Sequence, residues 1–378
     1  MLGSTGSIGT GALEVIAASD GELAAIGLSA HGNTTGLVEQ ARRFRPKWVV
    51  ATDPAAAAKQ NWSGLPVGCE RFVGTDPLNR LVAESDVDIV MAAIVGRAGL
   101  ESTWAAVGAG KIVALANKET LVMAGPLVMR LAAETGANIL PVDSEHSAVF
   151  QALQAGRRDE VRRIVLTASG GPFLRHTPEQ LAQVTVEDAL KHPTWRMGPK
   201  ITIDSATMMN KALEIIEARW LFDLSPEQID IVVHPQSIVH SLVEFVDGSV
   251  IAQLSPPDMR LPIQYALTYP RRRPSPAARL DLARVLELSV EPADRQRFPA
   301  LELGLEAARA GGTMGAVLNA ANEAAVERFL AGRLPFVEIV PLCRRIVTHH
   351  QFDPSPTLAR LLELDAWARE EVSRWNST

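Results

Sequence analysis

The sequence predicts an α/β protein in which a doubly wound parallel sheet is followed by a mixed sheet and then by a helical bundle. Three observations predict this order. Short apolar runs alternate with amphipathic helical patterns in the first third of the chain, strand patterns of another kind fill the middle third, and only helical periodicity follows residue 294. Parallel strands covered on both faces read as continuous apolar runs, whereas amphipathic helices repeat apolar residues with the helical period.

The first third supplies candidate strands with helical patterns between them. The strands are predicted at residues 23–28, Trp48–Ala51, 88–95, 111–116 and Asn138–Pro141, and the helical patterns include Thr34–Phe44. Strand–helix alternation of this kind is typical of a Rossmann-like sheet with helices on both faces.

The remainder of the chain predicts an α+β region and a helical bundle. Strand patterns at 163–167, 231–233, 237–245 and Val250–Leu254 predict the mixed sheet. Residues 169–200 are rich in turn-forming residues, which predicts a flap that is mobile without ligand. We place the domains at residues 1–143, 144–268 and 295–378, with a proline- and arginine-rich linker at 269–294.

Composition excludes several classes of protein. The 378 residues include 37 Lys and Arg against 43 Asp and Glu, so the net charge of −6 argues against broad nucleic-acid binding. No apolar run approaches the roughly 20 residues that span a bilayer. Cys69 and Cys343 form neither a disulfide framework nor a metal-ligand spacing. We therefore expect a cytoplasmic protein without a nucleic-acid or membrane partner.

A glycine-rich run opens the chain. Gly3, Gly6 and Gly9 precede a helical pattern, and such glycines let the backbone approach a pyrophosphate at a helix N-terminus. An ordinary strand-to-helix turn is the alternative for this spacing. Its place at the head of the alternating region favours dinucleotide binding.

The next strand bears on which dinucleotide is bound. NAD enzymes usually carry an acidic residue about 20 residues after the glycines, which holds the ribose 2′-hydroxyl. Here the strand runs into His31, Gly32 and Asn33 without a carboxylate. His31 and Asn33 can donate to a 2′-phosphate, so the sequence favours NADP. The alternative is that both are plain loop residues.

Two carboxylates, Asp143 and Glu145, follow an apolar strand. In an extended segment they point the same way, at the sheet edge where α/β proteins bind ligands. Their oxygens suit Mg²⁺ or Mn²⁺. The alternative is a helix N-cap followed by an acidic first turn. His146 would point the opposite way, and we expect a structural role for it.

The run from Asp204 to Glu214 predicts a helix start, capped by Asp204 or Ser205. Asn210, Lys211 and Glu214 share one helix face. A hydroxyl, an amide and an ammonium at a helix start can cradle a phosphate, and Glu214 can complete a three-carboxylate metal site. An exposed Lys–Glu pair on an amphipathic helix is the alternative. Lys118, after another apolar strand, can orient a substrate oxygen or begin a solvated helix.

These motifs resemble the 1-deoxy-D-xylulose 5-phosphate reductoisomerase family over essentially the whole chain. The matching segments are residues 3–9, 114–122, 142–151, 167–173, 192–218, 234–245 and 318–324. The resemblance implies a homodimer with an NADPH-binding domain at 1–143, a catalytic domain at 144–268 and a C-terminal helical domain. It also implies rearrangement of 1-deoxy-D-xylulose 5-phosphate, by retro-aldol and aldol steps on a metal-polarised hydroxyketone, and reduction by NADPH to 2-C-methyl-D-erythritol 4-phosphate for isoprenoid synthesis.

The resemblance further implies a role for each matching residue. The metal ligands would be Asp143, Glu145 and Glu214. The substrate would be held by Ser169, Ser205, Asn210 and Lys211 around its phosphate, by Lys118, Ser144 and His192 at its hydroxyl and carbonyl groups, and by a flap carrying Trp195 and Met197. The NADPH site would comprise Thr5, Gly6, Ser7, Ile8, His31, Gly32, Asn33, Asn117, Glu119 and Gly198.

Two departures from the family bear on the cofactor. Only Met1 and Leu2 precede the first glycine, where relatives have several strand residues, and Gly32 stands near the position where many relatives carry a basic residue. We therefore expect a nearly absent first strand and weaker NADPH binding. A metal-independent NADP-linked dehydrogenase and a non-catalytic NADPH-binding regulator stay open as alternatives.

Overall fold

The structure is a computed structural model that describes residues 1–195, 197–283 and 287–375. It divides into two compact units. Unit 1 comprises residues 1–120, 128–147 and 258–278, and unit 2 comprises residues 121–127, 148–257 and 279–378. Among the described residues, none of the helices is both long enough and apolar enough to cross a bilayer.

Unit 1 contains two parallel three-stranded ladders, ordered β1–β2–β3 and β4–β5–β6. The strands are β1 Gly27–Ala30, β2 Trp48–Ala51, β3 Glu70–Val73, β4 Ile89–Ala92, β5 Ile112–Leu115 and β6 Asn138–Pro141. The first predicted strand was placed too early, at 23–28. The strand β3 was not predicted, because its residues are largely exposed and therefore lack a continuous apolar run.

The first four residues join these two ladders. Leu2 forms a parallel bridge with Ala92, and its N–H donates to the Met91 carbonyl at 2.9 Å. On the other side, the Ser4 N–H donates to the Ser29 carbonyl at 2.8 Å. The order is therefore β3–β2–β1, residues 1–4, β4–β5–β6, which confirms the Rossmann-like arrangement with a much shortened central strand.

Helices connect the strands of unit 1. Those that contribute to it are α1 Ser7–Ala17, α2 Thr34–Phe44, α3 Pro54–Lys59, α4 Thr75–Leu81, α5 Leu100–Gly108, α6 Glu119–Thr135, α7 Ser144–Ala152 and, from later in the chain, α12 Arg260–Thr268. The helix α12 packs on α1, and the Arg260 guanidinium pairs with Glu14 at 3.1 Å.

Unit 2 is built on a mixed sheet, as predicted. Its strands are β7 Val161–Ala168, β8 Ile229–Val233, β9 Val239–Phe245, β10 Val250–Leu254 and β11 Glu291–Pro292. The order is β10–β9–β7–β8–β11, in which β7 and β8 are parallel and the other neighbours antiparallel.

The helices of unit 2 share one core with this sheet. They are α8 Pro178–Leu181, α9 Val186–Ala189, α10 Pro199–Thr207, α11 Met209–Leu221, α13 Ala300–Ala310, α14 Met314–Leu330, α15 Ile339–His349 and α16 Leu358–Arg374. Leu166 of β7, Leu213 of α11, Leu303 of α13, Val317 of α14 and Leu342 of α15 belong to a single buried cluster. The predicted C-terminal helices exist, and their apolar faces are buried together with the sheet rather than only against one another.

The predicted three-domain division stays a prediction. The two compact units divide the same residues differently, because α12 lies with unit 1 and the C-terminal helices lie with the mixed sheet. The helical pattern at 178–190 is two short helices instead of one. Each begins at a capping box, with Thr177 and Thr185 as the N-cap residues.

Candidate functional site

The glycine-rich loop of unit 1 is a tight turn between residues 1–4 and α1. Gly3 has φ +75°, and a Cβ there would lie 2.7 Å from the Ala93 carbonyl oxygen. A Cβ on Gly9 would lie 2.3 Å from the Gly3 carbonyl oxygen. Both positions therefore require glycine, and no side chain caps the start of α1. A helix N-terminus approached this closely by backbone is suited to a pyrophosphate.

In the loop after β1, the polar side chains of His31 and Asn33 already form hydrogen bonds within the protein. Asn33 Oδ1 accepts a hydrogen bond from the Gly36 N–H at 3.0 Å and caps α2. His31 Nδ1 lies 3.0 Å from Thr52 Oγ1. Gly32 faces open space, since a Cβ there would meet no atom within 4 Å. A phosphate can still be reached by the Asn33 amide and by the other ring nitrogen of His31.

Asn117 is buried and holds backbone in place. Its Nδ2 donates to the carbonyls of Ile94 and Gly96, at 2.6 and 2.9 Å, and to Glu119 at 3.2 Å. Its Oδ1 accepts from the Thr120 N–H at 3.0 Å. The side chain thus fixes the loop after β4 against the start of α6, a role that spacing alone did not predict.

Asp143 lies where β6 ends and interacts with two basic side chains. The Lys118 ammonium is 2.7 Å from its Oδ2, and His146 Nδ1 is 3.2 Å from its Oδ1. Burial disfavours the charged form, but the Lys118 charge and the His146 hydrogen bond outweigh it and hold the pKa of this carboxyl well below its usual range. Asp143 is therefore a carboxylate at neutral pH, the form that binds metal.

The backbone around Asp143 follows the helix N-cap alternative and not the extended segment. Residues Ser144–Ala152 form α7, and Asp143 Oδ1 accepts from the Glu145 N–H at 3.2 Å, as an N-cap residue does. The expected opposite orientation of His146 is wrong, because a helical turn brings it back to Asp143. Ser144 Oγ donates to Glu145 Oε2 at 3.1 Å. Lys118, Asp143, Ser144 and Glu145 thus lie together in unit 1.

In unit 2, His192 links two predicted substrate residues. Its Nε2 lies 3.1 Å from Ser169 Oγ and 3.1 Å from Ser205 Oγ. Its Nδ1 accepts from the backbone N–H groups of Thr194 and Trp195, at 3.1 and 2.9 Å. Nδ1 is therefore the unprotonated nitrogen, and Nε2 carries the proton toward the serines. Burial lowers the pKa of His192 and favours this neutral form.

The loop that carries Ser169 fits closely against α10. Gly170 and Gly171 have φ +84° and +66°, and a Cβ on Gly171 would lie 2.7 Å from the Ser205 carbonyl oxygen. The Gly171 N–H donates to Ser169 Oγ at 3.2 Å. Loop and helix are thus in close contact and bring two serine hydroxyls to His192, and this fit depends on two glycines.

The predicted helix start at Asp204 is wrong, because two helices meet at Met208. Met208 has φ +61° and separates α10 from α11, so Asp204 and Ser205 lie inside α10 and are not caps. Asn210, Lys211 and Glu214 share a face of α11 as predicted. Asn210 Nδ2 is 2.5 Å from Glu214 Oε1, and Lys211 pairs with Glu214 Oε2. Both members of that ion pair are buried, which excludes the exposed-pair alternative.

The flap contacts the rest of unit 2 at several points along its length. Trp195 packs edge-on against the His240 ring, with centroids 6.1 Å apart. The Arg297 guanidinium donates to the carbonyls of Phe173 and His176. Gly198 is the N-cap residue of α10. The roles of Arg297 and of the Nδ1 atom of His192 were not predicted, since both depend on backbone atoms.

Comparisons with known proteins agree with this architecture. Family models described as 1-deoxy-D-xylulose 5-phosphate reductoisomerase and as two C-terminal domains of it match residues 1–125, 139–222 and 254–371. Curated reductoisomerases of that name from Rhodopirellula baltica and Chlorobium chlorochromatii are 53% and 50% identical, over 98% of this chain and 92% and 97% of theirs.

Solved structures share the fold over almost the whole chain. A reductoisomerase in complex with NADPH, fosmidomycin and magnesium has a TM-score of 0.92 at 41% identity, over 98% of this chain and 96% of that one. The Zymomonas mobilis enzyme in complex with NADPH has a TM-score of 0.91 at 43% identity, over 98% and 97%. Fold, site and matches together define an NADP-dependent oxidoreductase. More particularly, the chain belongs to the 1-deoxy-D-xylulose 5-phosphate reductoisomerase family.

Proposed function

We propose that the chain converts 1-deoxy-D-xylulose 5-phosphate to 2-C-methyl-D-erythritol 4-phosphate with NADPH and a divalent metal, in isoprenoid biosynthesis. One carbon–carbon bond breaks and another forms in the rearrangement, and the reduction then adds a hydride and a proton to the aldehyde. The observation that carries the proposal is the buried Lys211–Glu214 pair beside Asn210, with Ser169, His192 and Ser205 hydrogen-bonded in the same unit.

The metal ligands that we propose are Asp143, Glu145 and Glu214, for Mg²⁺ or Mn²⁺. Carboxylate oxygens are the donors that both ions prefer, and Asp143 is held in its ionised form. When bound, the ion supplies Lewis-acid polarisation of the substrate carbonyl. Lys118 then has two tasks, which are to keep Asp143 charged and to orient a substrate oxygen.

The substrate is held by neutral donors and by two ammonium groups. We assign its phosphate to Ser169, Ser205, Asn210 and Lys211, and its hydroxyl and carbonyl groups to Lys118, Ser144 and His192. Because His192 presents an N–H at Nε2, it can donate to either serine or to a substrate oxygen. Binding the remote phosphate provides free energy for closing the flap with Trp195 and Met197 and for excluding water.

The NADPH site that we propose begins at the glycine-rich loop, whose close backbone approach fits a pyrophosphate. Thr5, Gly6, Ser7 and Ile8 lie at the start of α1. His31, Gly32 and Asn33 face the 2′-phosphate, and Gly198 joins from the end of the flap. Asn117 and Glu119 shape the nicotinamide end through the buried hydrogen bonds described above. When bound, NADPH supplies the hydride.

The test is NADPH oxidation with 1-deoxy-D-xylulose 5-phosphate, with and without Mg²⁺ or Mn²⁺. We expect oxidation that stops when EDTA is added and returns with excess metal. Oxidation that persists in EDTA would favour a metal-independent dehydrogenase. A folded, NADPH-binding protein without turnover in any metal would favour a regulator.

We also propose a cytoplasmic homodimer. The edge strand β10 exposes Val250, Ile251 and Leu254, and an apolar edge strand is an unfavourable surface unless another chain covers it. Cys69 and Cys343 are both free thiols, as a reducing compartment allows. Light scattering coupled to size-exclusion chromatography should give twice the 40.7 kDa chain mass. The double variant Val250→Lys and Ile251→Lys should shift the mass toward one chain.

A further inference from the structure

We propose that Asn322 of α14 is a positioning residue for substrate binding, because it fixes α10, the helix that carries Ser205. The contact runs through Asp204, the residue before Ser205. The inference rests on the proposed roles of Ser205 and His192 in holding the substrate.

Asp204 is a buried carboxylate with two donors of different kinds. Its side chain is 1% exposed, and its Oδ2 lies 2.8 Å from the Lys200 ammonium. Its Oδ1 accepts from Asn322 Nδ2 at 2.8 Å. Lys200 belongs to the same helix, so its ion pair cannot fix α10 against the rest of unit 2. Asn322 belongs to α14, so its hydrogen bond to Asp204 fixes α10 against another helix of unit 2.

A shift of α10 reaches the substrate pocket directly. The Ser205 hydroxyl lies 3.1 Å from His192 Nε2, and the Ser205 carbonyl packs against Gly171, where no Cβ fits. The helix also begins at Gly198, where the flap ends. A displacement of a few tenths of an ångström would therefore change both the serine–histidine geometry and the anchor of the flap.

The second asparagine of α14 provides a matched control. Asn319 is one helical turn earlier and equally buried, and its Nδ2 donates to Glu323 Oε1 at 3.1 Å. Its described hydrogen bond does not involve α10. Replacing Asn319 therefore tests the cost of losing a buried amide from this helix without loss of the Asp204 contact.

The experiment compares Asn322→Ala with Asn319→Ala in the full chain. For Asn322→Ala we expect the KM for 1-deoxy-D-xylulose 5-phosphate to rise about tenfold, with kcat within about threefold and the KM for NADPH unchanged. We also expect faster protease cleavage between residues 177 and 195. Asn319→Ala should leave these quantities within about twofold. Equal effects of the two substitutions, or an unchanged substrate KM in Asn322→Ala, would overturn the proposal.

Four further variants keep the result decisive. Asn322→Asp places two carboxylates together. Adding Asp204→Asn restores a donor–acceptor pair in the reverse direction. The double variant should therefore have a lower substrate KM than Asn322→Asp alone. If Asn322→Ala does not fold, Asn322→Ser carries the same expectation. Ser205→Ala tests the role of Ser205 separately from that of Asn322. An unchanged substrate KM there would overturn the role of Ser205 and this inference together, whereas a raised KM there without one in Asn322→Ala would overturn only the inference.

Discussion

The candidate groups of unit 1 and unit 2 are assembled in different ways. In unit 1, Lys118 and Asp143 follow neighbouring parallel strands, β5 and β6, and meet because the carboxyl ends of such strands lie at one edge of the sheet. In unit 2, Ser169, His192 and Ser205 come from a loop, the flap and a helix. Sheet topology therefore places the first set, whereas tertiary packing places the second.

The largest expected effect tests the carboxylate of unit 2. Glu214→Gln keeps the size of a fully buried side chain and its contact with Lys211, but removes the charge. We expect kcat/KM to fall on the order of a thousandfold, because a neutral amide is a poor ligand for a divalent ion. Glu306→Gln, which breaks a partly exposed pair with Arg344 in the same unit, should change little. Retention of full metal-dependent turnover by Glu214→Gln would contradict the ligand assignment.

The second prediction concerns the ion pair of unit 1. Lys118→Met removes the positive charge that holds the pKa of Asp143 low, so that pKa should rise and the acid limb of kcat/KM should move to higher pH. At neutral pH we expect a loss of about a hundredfold, since a substrate contact is lost as well. Lys59→Met, at an exposed lysine of α3, is the control. An acid limb that does not move would show that Lys118 does not control the ionisation of Asp143.

A third prediction addresses the flap. Burial lowers the pKa of His192. At any pH above the usual pKa of histidine the ring is therefore neutral, and its contribution to flap order is complete. As pH falls through the lowered pKa, protonated Nδ1 would face the N–H groups of Thr194 and Trp195. The substrate KM should therefore rise below about pH 6.5, and His192→Asn should have a high KM without that pH dependence. Trp195 fluorescence gives an independent measure of flap order, and an unchanged signal over the same pH range would argue against this account.

The smallest expected effect is on the stability of unit 1. Gly9→Ala places a methyl group against the Gly3 carbonyl and Ser4, which should lower the free energy of unfolding by roughly 1–3 kcal/mol and raise the KM for NADPH. Gly32→Ala, in open space, should leave the free energy of unfolding nearly unchanged. Urea denaturation of the two variants measures the contrast, and equal midpoints would show that the loop can relax around the added carbon.

The sequence predicted these two regions unequally. The parallel α/β pattern of unit 1, the carboxylates after β6 and the shared face of Asn210, Lys211 and Glu214 follow from local periodicity, and the structure shows them. The break at Met208 was mispredicted, because a single left-handed residue leaves little trace in the pattern of apolar residues. At Asp143 the sequence left two alternatives open, an extended segment and a helix cap, and the structure shows the helix cap. The contacts of His192, Arg297 and Asn322 join residues far apart in sequence or use backbone atoms. No spacing rule predicts such contacts.

Both compact units are assembled from separated stretches of chain, and this has a consequence during synthesis. Unit 1 needs α12, which packs on α1 from about 250 residues downstream, and the core of unit 2 needs α13–α16 to cover its sheet. Neither unit can close while the earlier residues leave the ribosome. Nascent chains should therefore expose apolar strands for most of translation, and they should depend on chaperones more than a protein whose domains are continuous in sequence.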